Sequence, residues 1–310
     1  MRDPLLPLTR LLESGDLRLV YVLGVARSNT TLVVRLLGEQ LDGAVYEPTV
    51  PATLDPVGHF AHTVLRAYRK ARATRSGTVT LAVKDISLFI EPSVEAFIAE
   101  RASHVVITVR DPAEAHASLV KQFRHEFGFW QRFDAVVRQP FEALFMFIAF
   151  LFLVPRYGNL ARSALPDTSA GRYRMAMAGW SLESWNKLTR QVAAIPPGRL
   201  TVLDARQMRN EPALAAAALT AIARSLMPAG RKPMIEVAAH SRMSSRSKWA
   251  AEARASAGIK PTNASAPVEA PDDVAAAVAA KSMPQYRALI DSAANPLRVG
   301  NTAEVRLGAA

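Results

Sequence analysis

The sequence predicts an α/β fold in which helices flank a central parallel β-sheet. Residues 17–23 form a largely apolar run typical of a buried strand, and the leucines of residues 32–41 recur at helical spacing directly after it. The pair is repeated further along, where the β-branched run at 105–110 leads into a helical pattern at 112–123. Strands that alternate with helices favour right-handed crossovers and therefore a parallel sheet.

The remaining elements continue this alternation. Residues 44–47 form a short extended piece, residues 57–75 an amphipathic helix, and residues 78–83 a strand that ends at Lys84. A further strand is expected at 199–203, and further helices at 92–102, 178–195, 212–226 and 273–292, the last interrupted near Pro284. Residues 156–172 contain Gly, Pro and Ser and indicate a connector, and residues 204–210 a polar link.

The length of the chain suits one large α/β domain with additions. Of the 310 residues, 50% are hydrophobic, which is enough for a sizeable core. We interpret residues 1–250 as the main domain, with a helical insertion at about 125–195, and residues 251–310 as a linker and C-terminal helix. The chain has no cysteine, which excludes disulfides, a thiol nucleophile and Cys-ligated zinc.

The charge balance is strongly basic. A formal net charge of +11 suits a polyanionic ligand such as a nucleotide bisphosphate, and also an anionic membrane or nucleic acid. Because no aromatic-interleaved basic stripe, Cys/His finger or RNA-binding signature is present, we expect no nucleic-acid partner. The first ten residues contain two prolines and charges, unlike a secretory signal, so a cytoplasmic location is expected. The abundance of Ala and Arg suggests a GC-rich bacterial genome.

The turn between the first strand and its helix carries a candidate anion site. Residues 24–32 read G-V-A-R-S-N-T-T-L, and a strand–turn–helix of this kind points free backbone N–H groups and the positive helix end at one spot. Asn29 suits a left-handed backbone position. The side chains that add donors are those of Arg27, Ser28, Thr30 and Thr31. The same residue types also suit an ordinary helix N-cap, which is the alternative interpretation.

This turn differs from the phosphate loop of nucleotide kinases and GTPases. That loop reads G-x-x-x-x-G-K-[ST], whereas Asn29 and Thr30 stand here at the second Gly and the Lys. A divergent P-loop kinase is therefore kept only as an alternative.

Two segments resemble the sulfotransferase family. G-x-x-R-S-N-T-T-L is similar to the family's 5′-phosphosulfate loop, usually written R-S-G-T-T. V-V-I-T-V-R, followed by D-P-A-E-A-H-A-S, resembles its 3′-phosphate signature, a strand ending in Arg with Ser eight residues later, here Arg110 and Ser118. The resemblance covers about residues 17–226 and implies a P-loop sulfotransferase-like three-layer fold with a central parallel sheet.

The resemblance also implies an activity. The family transfers a sulfuryl group from 3′-phosphoadenosine-5′-phosphosulfate (PAPS) to a hydroxyl or amine, leaves 3′,5′-bisphosphoadenosine (PAP), and requires no metal. The expected acceptor is a small molecule, whether hydrophobic, carbohydrate or lipid. The cofactor-binding residues implied are Arg27, Ser28, Asn29, Thr30, Thr31, Arg110 and Ser118. A non-catalytic nucleotide- or anion-binding protein of the same fold is the alternative, because Asn29 replaces the usual Gly.

Three residues are the catalytic candidates. Arg27 would hold the leaving phosphate, and Lys84, in a K-D-I stretch that resembles the family's K-D-P or K-S-P, would stabilise the sulfuryl oxygens. Glu47, in V-Y-E-P, is the preferred general base, since several bacterial and tyrosine-directed members carry a Glu in that place. His59 and His62 compete for the role because cytosolic members use a His base.

The positions of the candidate site residues relative to the predicted strands are a second reason to group them. In parallel sheets the ligand sits beyond the carboxyl ends of the strands, and Ser28, Glu47, Lys84 and Arg110 all fall at or just past such an end. His104 begins a strand and should therefore lie at the opposite end of the sheet.

Two further segments each have more than one structural interpretation. The apolar run at 143–154 is too short to span a bilayer, and it suits a buried helix, a hydrophobic acceptor pocket or a membrane-contacting flap. The basic residues 240–249 lie where many family members place a loop that closes the nucleotide site. Because the R-K-G form of that loop is absent here, a solvated loop is the competing interpretation.

Overall fold

The chain folds around a five-stranded, all-parallel β-sheet with helices on both faces. The computed structural model describes residues 3–49, 55–126, 153–168, 170–227, 233–235 and 273–297. The strands are β1 (Leu17–Gly24), β2 (Ala44–Tyr46), β3 (Val79–Ile86), β4 (His104–Val109) and β5 (Leu200–Asp204), in the order β2-β3-β1-β4-β5. The predicted α/β class with a central parallel sheet is confirmed.

The helices alternate with the strands as expected. They are α1 (Leu6–Glu13), α2 (Thr30–Gln40), α3 (Pro56–Arg72), α4 (Pro92–Arg101), α5 (Pro112–Glu126), α6 (Arg172–Ala193), α7 (Ala205–Asn210), α8 (Pro212–Leu226) and α9 (Asp273–Ile290). Short 3₁₀ helices cover Ser87–Phe89 and Pro197–Arg199, and residues 153–164 are also helical.

The two faces of the sheet carry separate cores. In β1, Leu19 and Tyr21 point into the core shared with α1, α3, α4, α6 and α9, whereas Val20 and Val22 point into the core shared with α2 and α8. Side chains of a strand alternate between its two faces, so the part of a strand that is covered on both faces is apolar. This explains why β1 is a largely apolar run in the sequence, with the exposed Arg18 near its start as the exception.

The strand order creates a crevice at the carboxyl ends of β1 and β4. These two strands are neighbours, but the chain leaves β1 toward β2 at one edge of the sheet and leaves β4 toward β5 at the other. The connections diverge at this point, and parallel sheets bind ligands at such switch points.

The C-terminal helix α9 packs on the sheet domain. The Tyr286 hydroxyl donates a 3.0 Å hydrogen bond to Asp204 at the end of β5, and its ring packs edge-on against Trp185. The amide of Val202 donates to the Ala294 carbonyl at 2.8 Å, which covers the free edge of β5. The predicted interruption at Pro284 is wrong, because the helix continues through it with Tyr286 and other residues anchored in the core.

Two further local expectations were wrong, and one helix was not predicted. Part of the expected connector at 156–172 is helical, because Ala161 packs against residues of α9. Helix α1 was not predicted, although a proline in its first turn is compatible with helix and Leu8 is fully buried. Strand β3 extends to Ile86, beyond the expected end at residue 83.

Some predicted segments lie largely or wholly outside the described residues. Of the apolar run at 143–154 only residues 153 and 154 are described, and the basic residues 240–249 and the linker at 255–272 are not. Over the part of the chain that is described, each helix is too short or too polar to cross a bilayer.

His104 should make stability depend on acid pH. Its Nε2 lies 2.8 Å from Thr201 Oγ1, and burial lowers its pKa from the ordinary 6.5 to about 4. The unfolded chain therefore binds the proton first as pH falls, so stability is complete above pH 6.5 and is lost between 6.5 and about 4, by up to about 3 kcal/mol.

His104→Gln keeps a polar partner for Thr201 but cannot be protonated, so its free energy of unfolding should fall less than that of the wild type over this range. Urea unfolding at several pH values measures the difference, with His59→Gln, at an exposed position, as the control. An unchanged acid slope in His104→Gln would contradict the assignment.

Candidate functional site

The turn after β1 has an unusual backbone. Arg27 and Asn29 have φ values of 71° and 70°, and Asn29 is the N-cap of α2. Within the described ranges only one other non-glycine residue, Glu47 with φ of 49°, has a positive φ. Such conformations are unfavourable for side-chain-bearing residues and concentrate at functional sites. All three were predicted site residues.

Ser28 locks this turn onto the neighbouring strand. Its side chain is fully buried, and its Oγ donates to the Val25 carbonyl at 2.7 Å and lies 2.9 Å from Thr108 Oγ1 of β4. A Cβ atom on Gly24 would lie 2.5 Å from the same Oγ, so only glycine fits there. The expected hydroxyl donor thus points into the sheet, and Ser28 can offer a ligand only its backbone amide.

The first turn of α2 supplies the other predicted donors. Thr30 begins the helix and is buried, whereas Thr31 is partly exposed. The intrahelical bonds begin with the Val33 amide, which donates to the Asn29 carbonyl at 3.1 Å. The amides before it have no carbonyl within the helix to bind, so they are suited to an anion at the mouth of the crevice.

The second predicted segment lies against the first. Arg27 Nε donates to Ser118 Oγ of α5 at 3.2 Å, across 91 residues of sequence. Asp111 caps α5 by accepting from the amides of Ala113 and Glu114, which orients the helix directly after β4. The two segments that carry the resemblance therefore face one crevice.

Glu114 joins two arginines beside that contact. Its Oε2 accepts from Arg110 Nε at 2.9 Å and from an Arg209 guanidinium nitrogen at 3.3 Å. Partial burial alone would raise the pKa of Glu114, but the Arg110 hydrogen bond and the charges of Arg110 and Arg209 outweigh it and lower the pKa. Arg209 was not among the predicted site residues; its position in a polar segment directly after the last strand was the available signal.

Glu47 and Lys84 form a second ion pair, on the other side of the turn. The Glu47 amide donates to the Lys84 carbonyl at 2.7 Å, and the Lys84 ammonium donates to Glu47 Oε1. Lys84 lies within β3 and is only 4% exposed, so the expectation of a lysine at the strand end was wrong. Glu47 is about one-third exposed, so a substrate can reach the carboxylate more easily than the ammonium.

A buried network holds the Glu47 loop in place. Asp85 accepts from the Thr49 amide at 3.1 Å, from the Thr49 hydroxyl at 2.6 Å and from the Tyr21 hydroxyl. Burial raises the pKa of Asp85 to about 7, although the hydrogen bonds from Thr49 and Tyr21 favour its ionised form. This network was not predicted, because the strand was expected to end at residue 83, whereas β3 continues through Asp85 to Ile86.

The histidines are placed less favourably for catalysis than Glu47. His59 and His62 are exposed on α3, and the described structure records no polar contact for either. His104 begins β4, at the amino end of the sheet, as predicted. His116 is buried on α5 with its Nδ1 2.9 Å from Ser181 Oγ.

A cavity of about 780 Å³ lies between α4 and α6, beside the segment that follows β3. Leu88 and Phe89 follow that strand directly, and Lys187 donates to Glu95 at 3.0 Å within the same wall. Leu153, at the end of the predicted apolar run, is also part of the lining. The cavity therefore combines apolar walls with paired charges, as small-molecule sites often do.

The comparisons with known proteins do not assign a family. No protein-family model matches the chain, and a search of curated proteins finds no significant match. Among the residues that the structure describes, no group of three His, Asp or Glu side chains is arranged to hold a metal ion.

The close approach of Ser28 and Thr108 to Gly24 predicts that no larger residue is tolerated at this position. Gly24→Ala would force a methyl group to within 2.5 Å of three oxygen atoms, and overpacking of this kind typically costs about 1–3 kcal/mol. We expect a melting temperature several degrees below that of the wild type. Gly198→Ala is the control, since its Cβ would meet nothing within 4 Å. Equal melting temperatures for the two variants would show that the turn is not locked.

Proposed function

We propose that the protein is a sulfotransferase that uses PAPS as its sulfuryl donor and releases PAP. The observation that supports this most is the contact between Arg27 and Ser118, which joins the two segments that resemble the family's 5′-phosphosulfate and 3′-phosphate signatures. The finer proposal, that the α/β domain is of the P-loop sulfotransferase kind, rests on the same residues and on the five-stranded parallel order.

The donor would lie across the carboxyl ends of β1 and β4. Its 5′-phosphosulfate would bind the amides of the turn at 27–31 together with the Arg27 side chain, because helix N-termini favour anions. Its 3′-phosphate would bind Arg110 and Ser118, which follow β4 and face the same crevice.

The transfer itself would be an in-line displacement. The acceptor oxygen or nitrogen attacks the sulfur, the bond between sulfur and the bridging 5′-phosphate oxygen breaks, and the acceptor proton passes to Glu47. Lys84 is the candidate for stabilising the sulfuryl oxygens, which requires its ammonium to turn from Glu47 toward the donor. None of the proposed catalytic residues Arg27, Glu47 and Lys84 is among the residues that line the cavity between α4 and α6, so the cavity would hold only a part of the acceptor remote from the reacting atom. Its apolar walls favour an acceptor with an apolar part.

A non-catalytic anion-binding protein is the second candidate. The observation in its favour is the closed pair of Lys84 and Glu47, in which the two proposed catalytic groups bind each other and Lys84 is nearly buried. Such a protein would bind PAP without consuming PAPS in the presence of any acceptor.

Glu47→Gln tests the proposed activity. Purified protein, PAPS and a metabolite extract are incubated, and mass spectrometry searches for products heavier by one sulfuryl group. The amide keeps the size of the carboxylate but cannot accept a proton, and general-base help is commonly about a hundredfold to ten-thousandfold, so turnover should fall by about that factor. PAP affinity should hardly change.

Exposed His59→Gln and His62→Gln serve as matched controls, since both histidines compete for the role of base. Loss of turnover in a histidine variant with retention in Glu47→Gln would assign the base elsewhere. Absence of any sulfated product from the wild type, together with tight PAP binding, would favour the non-catalytic candidate.

A further inference from the structure

We infer that Glu114 is a resident anion that occupies a phosphate site formed by Arg110 and Arg209, and that a phosphate monoester displaces it on binding. The inference rests on the proposed function in one respect, namely that this phosphate is the 3′-phosphate of the donor and product. It adds to that function a second phosphate-binding residue, Arg209, and a carboxylate that competes with the ligand.

Two cations converge on one oxygen atom of Glu114. Arg110, at the end of β4, and Arg209, on α7 after β5, both approach Glu114 Oε2, at 2.9 and 3.3 Å. Two guanidinium groups held this close repel one another unless an anion lies between them. A phosphate dianion has more charge than a carboxylate and three acceptor oxygens, so it can bind both arginines at once.

The Glu114 site is aligned with the rest of the crevice. Glu114 and Ser118 are one helical turn apart on α5, a spacing that places their Cβ atoms about 5–6 Å apart on one face. Arg27, from the turn after β1, reaches Ser118 at one end of this row, and Arg209 reaches Glu114 at the other. A phosphate at Glu114 would therefore lie in the same crevice as one at the turn.

The three charged side chains are accessible to a ligand. The Arg110, Glu114 and Arg209 side chains are 22%, 26% and 31% exposed, so a ligand can reach the pair and the carboxylate can rotate toward solvent. Asp111, and not Glu114, caps α5, so the helix does not need the Glu114 carboxylate at its start. Its presence lowers affinity for a bisphosphate product, and product release often limits turnover.

Two variants test the inference by calorimetric titration with PAP and with 5′-AMP. Glu114→Gln removes the competing charge, and we expect it to tighten PAP binding by about tenfold. Arg209→Ala removes one phosphate contact, and it should weaken PAP binding by about tenfold to a hundredfold, the usual worth of a charge-assisted hydrogen bond. Binding of 5′-AMP, which lacks the 3′-phosphate, should change by less than about twofold in both.

Each variant has a control with the same change of charge. Glu13→Gln removes an ion-paired carboxylate on α1, and Arg206→Ala removes an exposed arginine three positions before Arg209 on the same helix. Both should bind PAP like the wild type. Thermal melting of all four proteins ensures that only folded variants are compared.

The outcomes separate this inference from the proposed function. If the wild type binds PAP but Glu114→Gln binds it no more tightly than Glu13→Gln does, the carboxylate is a structural tie and the inference is wrong while the proposed function stands. Equal effects on PAP and 5′-AMP would also overturn it, because the site would not read the 3′-phosphate. If the wild type binds neither nucleotide, both the inference and the proposed function are wrong.

Discussion

The buried hydrogen bonds of Ser28 are the constraint on which the rest of the site depends. They hold the turn after β1 against Thr108 of β4, and they exist only because Gly24 leaves room for the hydroxyl. With the turn fixed, the left-handed backbone at Arg27 and Asn29 begins α2 and directs the Arg27 side chain onto Ser118. The crevice is thus organised before any ligand arrives, which reduces the ordering that binding would otherwise cost.

The charged groups of the site are arranged around this turn in the order of the strands. Lys84 forms an ion pair with Glu47 on the side of β2 and β3. Arg110 and Arg209 form ion pairs with Glu114 on the side of β4 and β5. Each cation proposed to contact the donor outside the turn is therefore neutralised by a carboxylate in the free protein. Binding would exchange these internal pairs for ligand phosphate and sulfuryl oxygens, and the carboxylate freed from Lys84 is the proposed base.

The sequence was sufficient for the features that local periodicity determines. The alternation of apolar strands and amphipathic helices predicted the parallel sheet, and strand ends located the turn after β1, Glu47 and Arg110. The sequence was insufficient where the placement of a side chain depends on residues far away along the chain. The inward hydroxyl of Ser28 depends on Thr108, the burial of Lys84 depends on a longer β3, and the partnership of Arg209 with Glu114 joins residues 95 positions apart. The unbroken α9 likewise needs the core that anchors it across Pro284.

The most direct measurement of the central claim is a crystal structure of the protein with PAP bound. The 5′-phosphate is predicted to lie on the amides of residues 27–31, and the 3′-phosphate to contact Arg110 and Ser118, with Glu114 displaced from Arg110. The turn at Gly24 and Ser28 should not move, because it is already locked onto β4. A nucleotide bound elsewhere, or one with both phosphates away from the turn and from Arg110, would contradict the account.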